Sequence, residues 1–348
     1  MMTTKNTKII SAQNKSLSNE ELSLVREVIR GGGLVVFPTE TVYGIGADGT
    51  NDSAARAIYE AKGRPSNNPL IIHIANPADA EKYCETSPLY DRLSAEFMPG
   101  PLTVILPKKN VIPDSVTGGL STVAVRCPAH PIASALIRAC GVPVAAPSAN
   151  LSGKPSPTCA KYCIEDMNGR ADVIIDGGDC RFGIESTIVK PEEDGSLTLL
   201  RPGAITVEDL LKVADRVNIA DGVIERPRED AIPLSPGMLY KHYAPSTDFY
   251  LLDGNDEAIY EYLNRQTDNC VFLMFEEDKK HISKNIKTIS LGSKEHPEEE
   301  AHLLFTALRD ADTMGADVIF ARLPEAKGLN LALLNRLIRA SAHRIIKL

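Results

Sequence analysis

From Leu34 onward the chain is built of short, strongly apolar runs cut by proline and glycine: LVVFP, LIIHI, LTVILP, TVAVRCP, VPVAAP, DVIIDGG, STIVKP and LTLLRP. Such runs, rich in Val, Ile and Leu, read as buried strands, because a strand covered on both faces has no solvent side to fill with polar residues. Stretches of helical spacing lie between several of them, at 53–61, 78–84, 89–97 and 131–140. That interleaving points to an α/β fold whose mixed sheet is covered by helices. Upstream, Ser18 and Glu21 carry the capping-box signature for a helix over 20–30, which Gly31, Gly32 and Gly33 end.

A helix over 207–214 closes this first domain, assigned to 1–214. Residues 215–245 are rich in charge and proline and read as a linker. Its segment SPGMLYKHYAP is unusual, because a plain spacer has no need for Tyr240, Lys241, His242 and Tyr243 in succession. From 246 to 348 the runs FYLLD, CVFLMF and ADVIFARLP alternate with helical stretches at 257–264, 298–314 and 329–346. The expectation there is a smaller, doubly wound, Rossmann-like parallel domain.

A formal charge of −8 argues against a broad basic face and tight binding to a nucleic-acid backbone. Seven scattered cysteines without a C-x-x-C pair suit reduced thiols rather than a disulfide framework or a zinc ribbon. The polar start MMTTKNTKII lacks a signal-peptide core, and no segment approaches the ~20 apolar residues of a membrane span. The expected location is the cytoplasm, with no membrane partner.

The glycines of GIGADG mimic a dinucleotide fingerprint, but Pro38 to Tyr43 separate the strand from Gly44, where the fingerprint needs a tight turn. No P-loop is present either. In AKGRPSNNPL, Gly63 stops a helix after Lys62 and Pro65 holds Arg64 in an extended loop, which places two cations in one region beside Ser66, Asn67 and Asn68. Lys62 could equally just complement the helix end. PTETVYG puts Thr39 and Thr41 after a buried strand, where α/β sheets bind ligands or where hydroxyls close a local turn. VPVAAPSAN brings Ser148 and Asn150 out on one side of an extended chain, before the loop LSGKPSPT; capping of the following helix competes for Ser148. Arg126 stands among apolar neighbours and needs an anionic partner if buried. His73, inside IIHI, reads more simply as a core histidine, and Arg201 at the end of LLRPG is ambiguous.

Taken in order and spacing, PTETVYGIGAD, AKGRPSNNPLIIHI, PGPLTVIL, VAVRCPAHP, APSANLSGKPSPT, GIESTIV and LLRPGAI closely resemble the YrdC-type threonylcarbamoyl-AMP synthases. SPGMLYKHYAP and the segment after it resemble the long form of that family, which adds a linker and a smaller C-terminal domain. The resemblance implies a twisted YrdC-like sheet with a central cleft. It also implies conversion of L-threonine, bicarbonate and ATP to threonylcarbamoyl-adenylate and pyrophosphate, for threonylcarbamoyl-adenosine in tRNAs reading ANN codons. By the same resemblance, Lys62 and Arg64 act on ATP phosphates and transition-state charge, and Ser66, Thr122, Ser148, Asn150, Ser156 and Arg201 contact the nucleotide. Thr39, His73, Arg126 and Ser186 hold threonine, with Arg126 on its carboxylate, and Tyr240 and His242 form a lid. Mg2+ is expected on the ATP phosphates, with no protein metal site. A transferase complex would take the product in a transient hand-off, with at most weak tRNA contact. Three rivals are a related hydrogenase-maturation carbamoyltransferase, an RNA-binding module and a nucleotide sensor. The first would need acylphosphatase-like and cysteine-rich zinc segments, and this chain has neither.

Overall fold

The computed structural model describes residues 4–225, 243–267 and 269–348. They fall into two compact units, Met1–Ser152 with Ser156–Leu239 and Gly153–Pro155 with Tyr240–Leu348.

The strands of the first unit are β1 (Lys8–Ser11), β2 (Val35–Phe37), β3 (Gly44–Asp48), β4 (Ile71–His73), β5 (Leu102–Pro107), β6 (Thr122–Arg126), β7 (Val144–Ala145), β8 (Val173–Asp176), β9 (Thr187–Pro191), β10 (Leu197–Arg201) and β11 (Val217–Ile219). They make one mixed sheet in the order β1-β8-β2-β3-β7-β4-β6-β5-β9-β10-β11. The central strands are buried along nearly their whole length, as their unbroken apolar runs require. Two helices, Asn19–Arg30 and Pro131–Cys140, bury Val25, Ile29, Ile132, Leu136 and Ile137 against Val35, Phe37, Val173 and Ile175. The expected Ser18–Glu21 capping box is present in full.

Register decides what the sheet can present. His73 on β4 lies opposite Arg126 on β6 in a parallel pair, and Thr103 on β5 lies opposite the same Arg126 in an antiparallel pair. Directly opposed residues share a face, so the three side chains stand in one row across three strands.

The second unit holds β12 (Asp248–Asp253), β13 (Cys270–Met274), β14 (Lys287–Ser290), β15 (Val318–Arg322) and β16 (Ile345–Lys347). Every pairing is parallel and the order is β14-β13-β15-β12-β16. The expected α/β class, with a large mixed sheet and a smaller parallel one, is the observed class.

Several element assignments need correction. The helix expected over 329–346 ends at Ala340, because Ala342 and His343 adopt left-handed conformations that reverse the chain into β16. The segment 78–84 is a 3₁₀ turn, Pro77–Lys82, and the helix beginning at Val207 stops at Leu210. The helix Ala160–Met167 carried no clear periodic signal, and β11 pairs with β10 beyond residue 214.

Candidate active site

The loop sequences singled out by composition are stitched together by backbone hydrogen bonds. Ile45 N donates to the Pro147 carbonyl at 3.0 Å, Ala149 N to the Tyr43 carbonyl at 2.8 Å and Tyr43 N to the Pro157 carbonyl at 2.9 Å. PTETVYG, APSAN and the SPT that follows therefore form one wall, although a hundred residues separate the first from the others. The glycines of GIGADG lie in and just after β3 and serve packing: a Cβ on Gly46 would stand 2.6 Å from Val144 Cγ1 and 2.8 Å from Phe37 Cε1. That is a different job from cradling a pyrophosphate.

Lys62 ends the helix Asp52–Lys62, and Gly63 follows at φ 61° as its left-handed cap. Its ammonium turns inward rather than out to solvent. Nζ donates to the carbonyls of Ser148 and Asn150 at 2.5 Å each, and the side chain is only 3% exposed. Lys62 thus ties helix and PSAN loop together, which the helix-complement reading does not explain. Ser148 Oγ donates to Asn150 Oδ1 at 2.5 Å, and the next helix is capped by Cys159, so the capping role weighed for Ser148 is not its role here. Arg64 donates to the carbonyls of Asn68 at 3.3 Å and Pro69 at 3.1 Å, so the two cations are anchored to different loops. Ser66 is exposed, beside them.

Glu40, Ser186 and Arg201 cluster with the three residues of the sheet row. Arg126 Nη2 donates to Glu40 Oε1 at 2.7 Å, and Ala129 N donates to the other oxygen at 3.1 Å. Burial opposes the charge on Glu40, but the adjoining guanidinium wins and holds its carboxyl below the usual range. Arg126 Nε is buried with no hydrogen-bond partner among the described residues. His73 accepts this neighbourhood only as a neutral ring: burial first, then the charge of Arg126, pushes it down to about 3, and Nδ1 lies 3.2 Å from the Val144 carbonyl. The core-histidine reading therefore describes its environment. Thr103 Oγ1 and Ser186 Oγ share a hydrogen bond of 2.7 Å, and Arg201 donates from Nε to the Ser186 carbonyl at 3.0 Å and from Nη2 to Ser186 Oγ at 3.1 Å.

Thr39 Oγ1 donates to the Val42 carbonyl at 2.6 Å and accepts from the amides of Thr41 and Val42, so it closes a local turn. Ser156 Oγ donates to Glu185 Oε1 at 2.6 Å, both buried. Thr122 begins β6 where Arg126 ends it, so four residues of strand, about 13 Å, separate the two. Tyr240 and His242 lie outside the described residues.

Sequence reasoning passed over Glu40, Thr103 and Glu185. Glu40 had a signal, an acid inside an otherwise neutral strand-end motif, and so had Glu185 in GIESTIV. Thr103 had none, because its role follows from register alone.

The assembled chemistry is that of positioning and charge neutralisation. Lys62, Arg126 and Arg201 are buried cations, each less than a tenth exposed, set among hydroxyl and amide groups. No thiolate nucleophile accompanies them: burial pushes the Cys127 thiol up to about 11 and Cys180 well above its ordinary value. Among the described residues no group of three or more His, Cys, Asp or Glu is placed to hold a metal ion. None of their helices is long and apolar enough to cross a membrane.

The Sua5/YciO/YrdC family profile, described as telomere recombination, matches residues 27–203, and a second profile, the threonylcarbamoyl-AMP synthase C-terminal domain, matches 205–342. The chain is 43% identical to the threonylcarbamoyl-AMP synthase of Pyrococcus abyssi, over 97% of this chain and 99% of that protein. It is 40% identical to the Bacillus subtilis enzyme of the same name, over 95% and 96%. The solved structure of P. abyssi Sua5 complexed with L-threonine superposes with a TM-score of 0.89 at 41% identity, covering 98% of this chain and 99% of that one. Escherichia coli YciO shares the fold of the first unit, with a TM-score of 0.50 at 22% identity over 57% of this chain and 96% of its own. The RNA-module and nucleotide-sensor readings give way to an enzymatic one: the chain belongs to the threonylcarbamoyl-AMP synthase family, in its two-domain Sua5 form.

Proposed function

We propose that this chain joins L-threonine, bicarbonate and ATP into threonylcarbamoyl-adenylate with release of pyrophosphate, supplying the modification of tRNAs that read ANN codons. The observation that carries the reading is the gathering of Lys62, Ser148, Asn150, Arg126 and Arg201, from distant motifs, into one unit as buried cations and hydrogen-bonding groups.

Threonine's amine and bicarbonate form a carbamate. One carbamate oxygen attacks the α-phosphorus of ATP, the P–O bond to the β-phosphate breaks, and pyrophosphate leaves with the electron pair. Such a reaction needs alignment and compensation of growing negative charge more than a covalent nucleophile. Lys62 and Arg64 are assigned to the phosphates, with Ser66, Thr122, Ser148, Asn150, Ser156 and Arg201 on the nucleotide. Arg126 meets the threonine carboxylate through the guanidinium edge that includes the unpartnered Nε, while Glu40 keeps the group fixed and half-compensated. Neutral His73 and the Thr39 and Ser186 hydroxyls complete the threonine subsite. His73 offers a hydrogen bond without adding charge. Tyr240 and His242 are assigned to a lid that excludes water from the labile adenylate.

Mg2+ enters the reading as the counter-ion that ATP brings on its phosphates. The product would pass to a separate transferase in the cytoplasm, with tRNA contact at most weak for a chain of net charge −8.

The test is pyrophosphate release from ATP and Mg2+ by the purified protein. Release that requires both L-threonine and bicarbonate and collapses in Lys62→Ala supports the reading. Release indifferent to threonine overturns it.

A further inference from the structure

The chain leaves β13 toward β14 on one side of the small sheet and leaves β15 toward β16 on the other. Neighbouring parallel strands whose connections diverge open a crevice beyond their carboxyl ends, where open α/β sheets bind ligands. A cavity of about 240 Å3 occupies that place, walled by Leu273 and Phe275 at the end of β13, Leu291 after β14 and Leu323 after β15.

Two acceptors in it want a donor. Glu300, on the helix Pro297–Thr313, lines the cavity at 4% exposure, and its carboxyl has no hydrogen-bond or ion-pair partner among the described residues. Asn330, which begins the helix Asn330–Ala340, lines it too, and its Oδ1 is buried without a partner among the described residues. Acceptors buried without donors cost stability, so a matching ligand gains by supplying N–H groups.

The other charged groups lining the cavity are already balanced. Lys294 Nζ lies 2.9 Å from Asp256 and 3.0 Å from Asp278, and Arg322 lies 2.9 Å from Asp256 and 2.7 Å from Asp278. Two cations against two carboxylates leave no net charge for a phosphate. The adjoining helix starts carry Asp256 and Glu257, and Glu298, Glu299 and Glu300, which repel an anion where a nucleotide-binding crevice would attract one.

We propose that this crevice binds a small primary ammonium with a short apolar body, its N–H groups donating to Glu300 and Asn330 and its alkyl part lying on Leu273, Phe275 and Leu291. The crevice is lined by none of the residues assigned to the synthase reaction, and the proposal does not rest on that assignment. Burial alone pushes the Glu300 carboxyl up to about 7, so near neutral pH it can release its proton to water when the ammonium arrives.

Isothermal titration of the full-length protein tests this, with isobutylamine, putrescine and L-leucine as probes and isobutanol and inorganic phosphate as controls. At least one amine binds, roughly tenfold more tightly at pH 8 than at pH 6 as Glu300 ionises, while isobutanol and phosphate do not. Preference for L-leucine over isobutylamine marks an amino-acid site, and the reverse a simple amine. Glu300→Gln, which keeps the shape of the neutral acid, weakens binding at least tenfold; Asn330→Ala weakens it severalfold, and Glu257→Gln on the exposed rim leaves it unchanged. Absence of binding by all three amines at millimolar concentration, undiminished binding by Glu300→Gln, or tighter binding of phosphate would overturn the proposal.

Discussion

Arg126 Nη2 donates to Glu40 Oε1 at 2.7 Å with both side chains more than nine-tenths buried, so each charge is tolerable only because of the other. Removing one partner should cost far more than removing both. Glu40→Gln and Arg126→Gln are each expected to destabilise by about 3–5 kcal/mol, whereas the double variant Glu40→Gln/Arg126→Gln recovers part of that loss and remains inactive. Urea denaturation of the two single variants and the double variant checks this. A double variant destabilised by the sum of the two single losses would show that the pair is not coupled.

Lys62 bridges the helix end and the Ser148–Asn150 carbonyls, so its loss acts on the chemistry and on the loop together. Lys62→Ala should lower kcat/KM for ATP on the order of 10²-fold, the usual scale for a preorganised charge donor. The apparent KM for threonine should change much less. Steady-state pyrophosphate assays with each substrate varied in turn distinguish the two; a threonine effect as large as the ATP effect would count against the assignment.

His73 is neutral in the folded protein down to about pH 3 and titrates near 6.5 in the unfolded chain. Between those values only the unfolded chain holds the extra proton. Stability from this group is therefore complete above about pH 6.5 and falls as the pH drops toward 3, by up to ~1.4 kcal/mol per pH unit. His73→Gln should lose about 3 kcal/mol less than the wild type between pH 7.5 and pH 4.5, read from paired denaturant melts. In the same variant series no acid limb of the rate profile should trace to His73.

Gly46 is a packing glycine, because its missing Cβ would collide with Val144 and Phe37. Gly46→Ala should cost about 1–3 kcal/mol through overpacking. Its nucleotide affinity, measured where the variant is still folded, should remain that of the wild type. A selective loss of ATP binding with unchanged stability would return these glycines to a phosphate-binding role.

Periodicity and caps could be read directly. The eight apolar runs fall in or next to strands of the large sheet, and Ser18 with Glu21 caps its helix as the spacing demands. Those signals are local: side-chain alternation and a hydrogen bond three residues long need no knowledge of the rest of the chain. β16 escaped notice because IIK follows a strongly helical stretch, and only the left-handed pair Ala342–His343 turns the chain. Thr103 escaped because a threonine within a strand run carries no distinguishing signal.

The amino-acid sequence alone determined the α/β class, the order of the motifs, the family they resemble and the residue types available for charge and hydrogen bonding. Tertiary structure alone decided how those residues are used. It set Glu40 against Arg126 across 86 positions, turned Lys62 into carbonyls more than 80 residues away, and left Glu300 and Asn330 facing one cavity without donors. The physical reason is that a buried charge or acceptor takes whichever partner the packed sheet brings within 3 Å, and that choice is made by register and topology, which no local run of residues encodes.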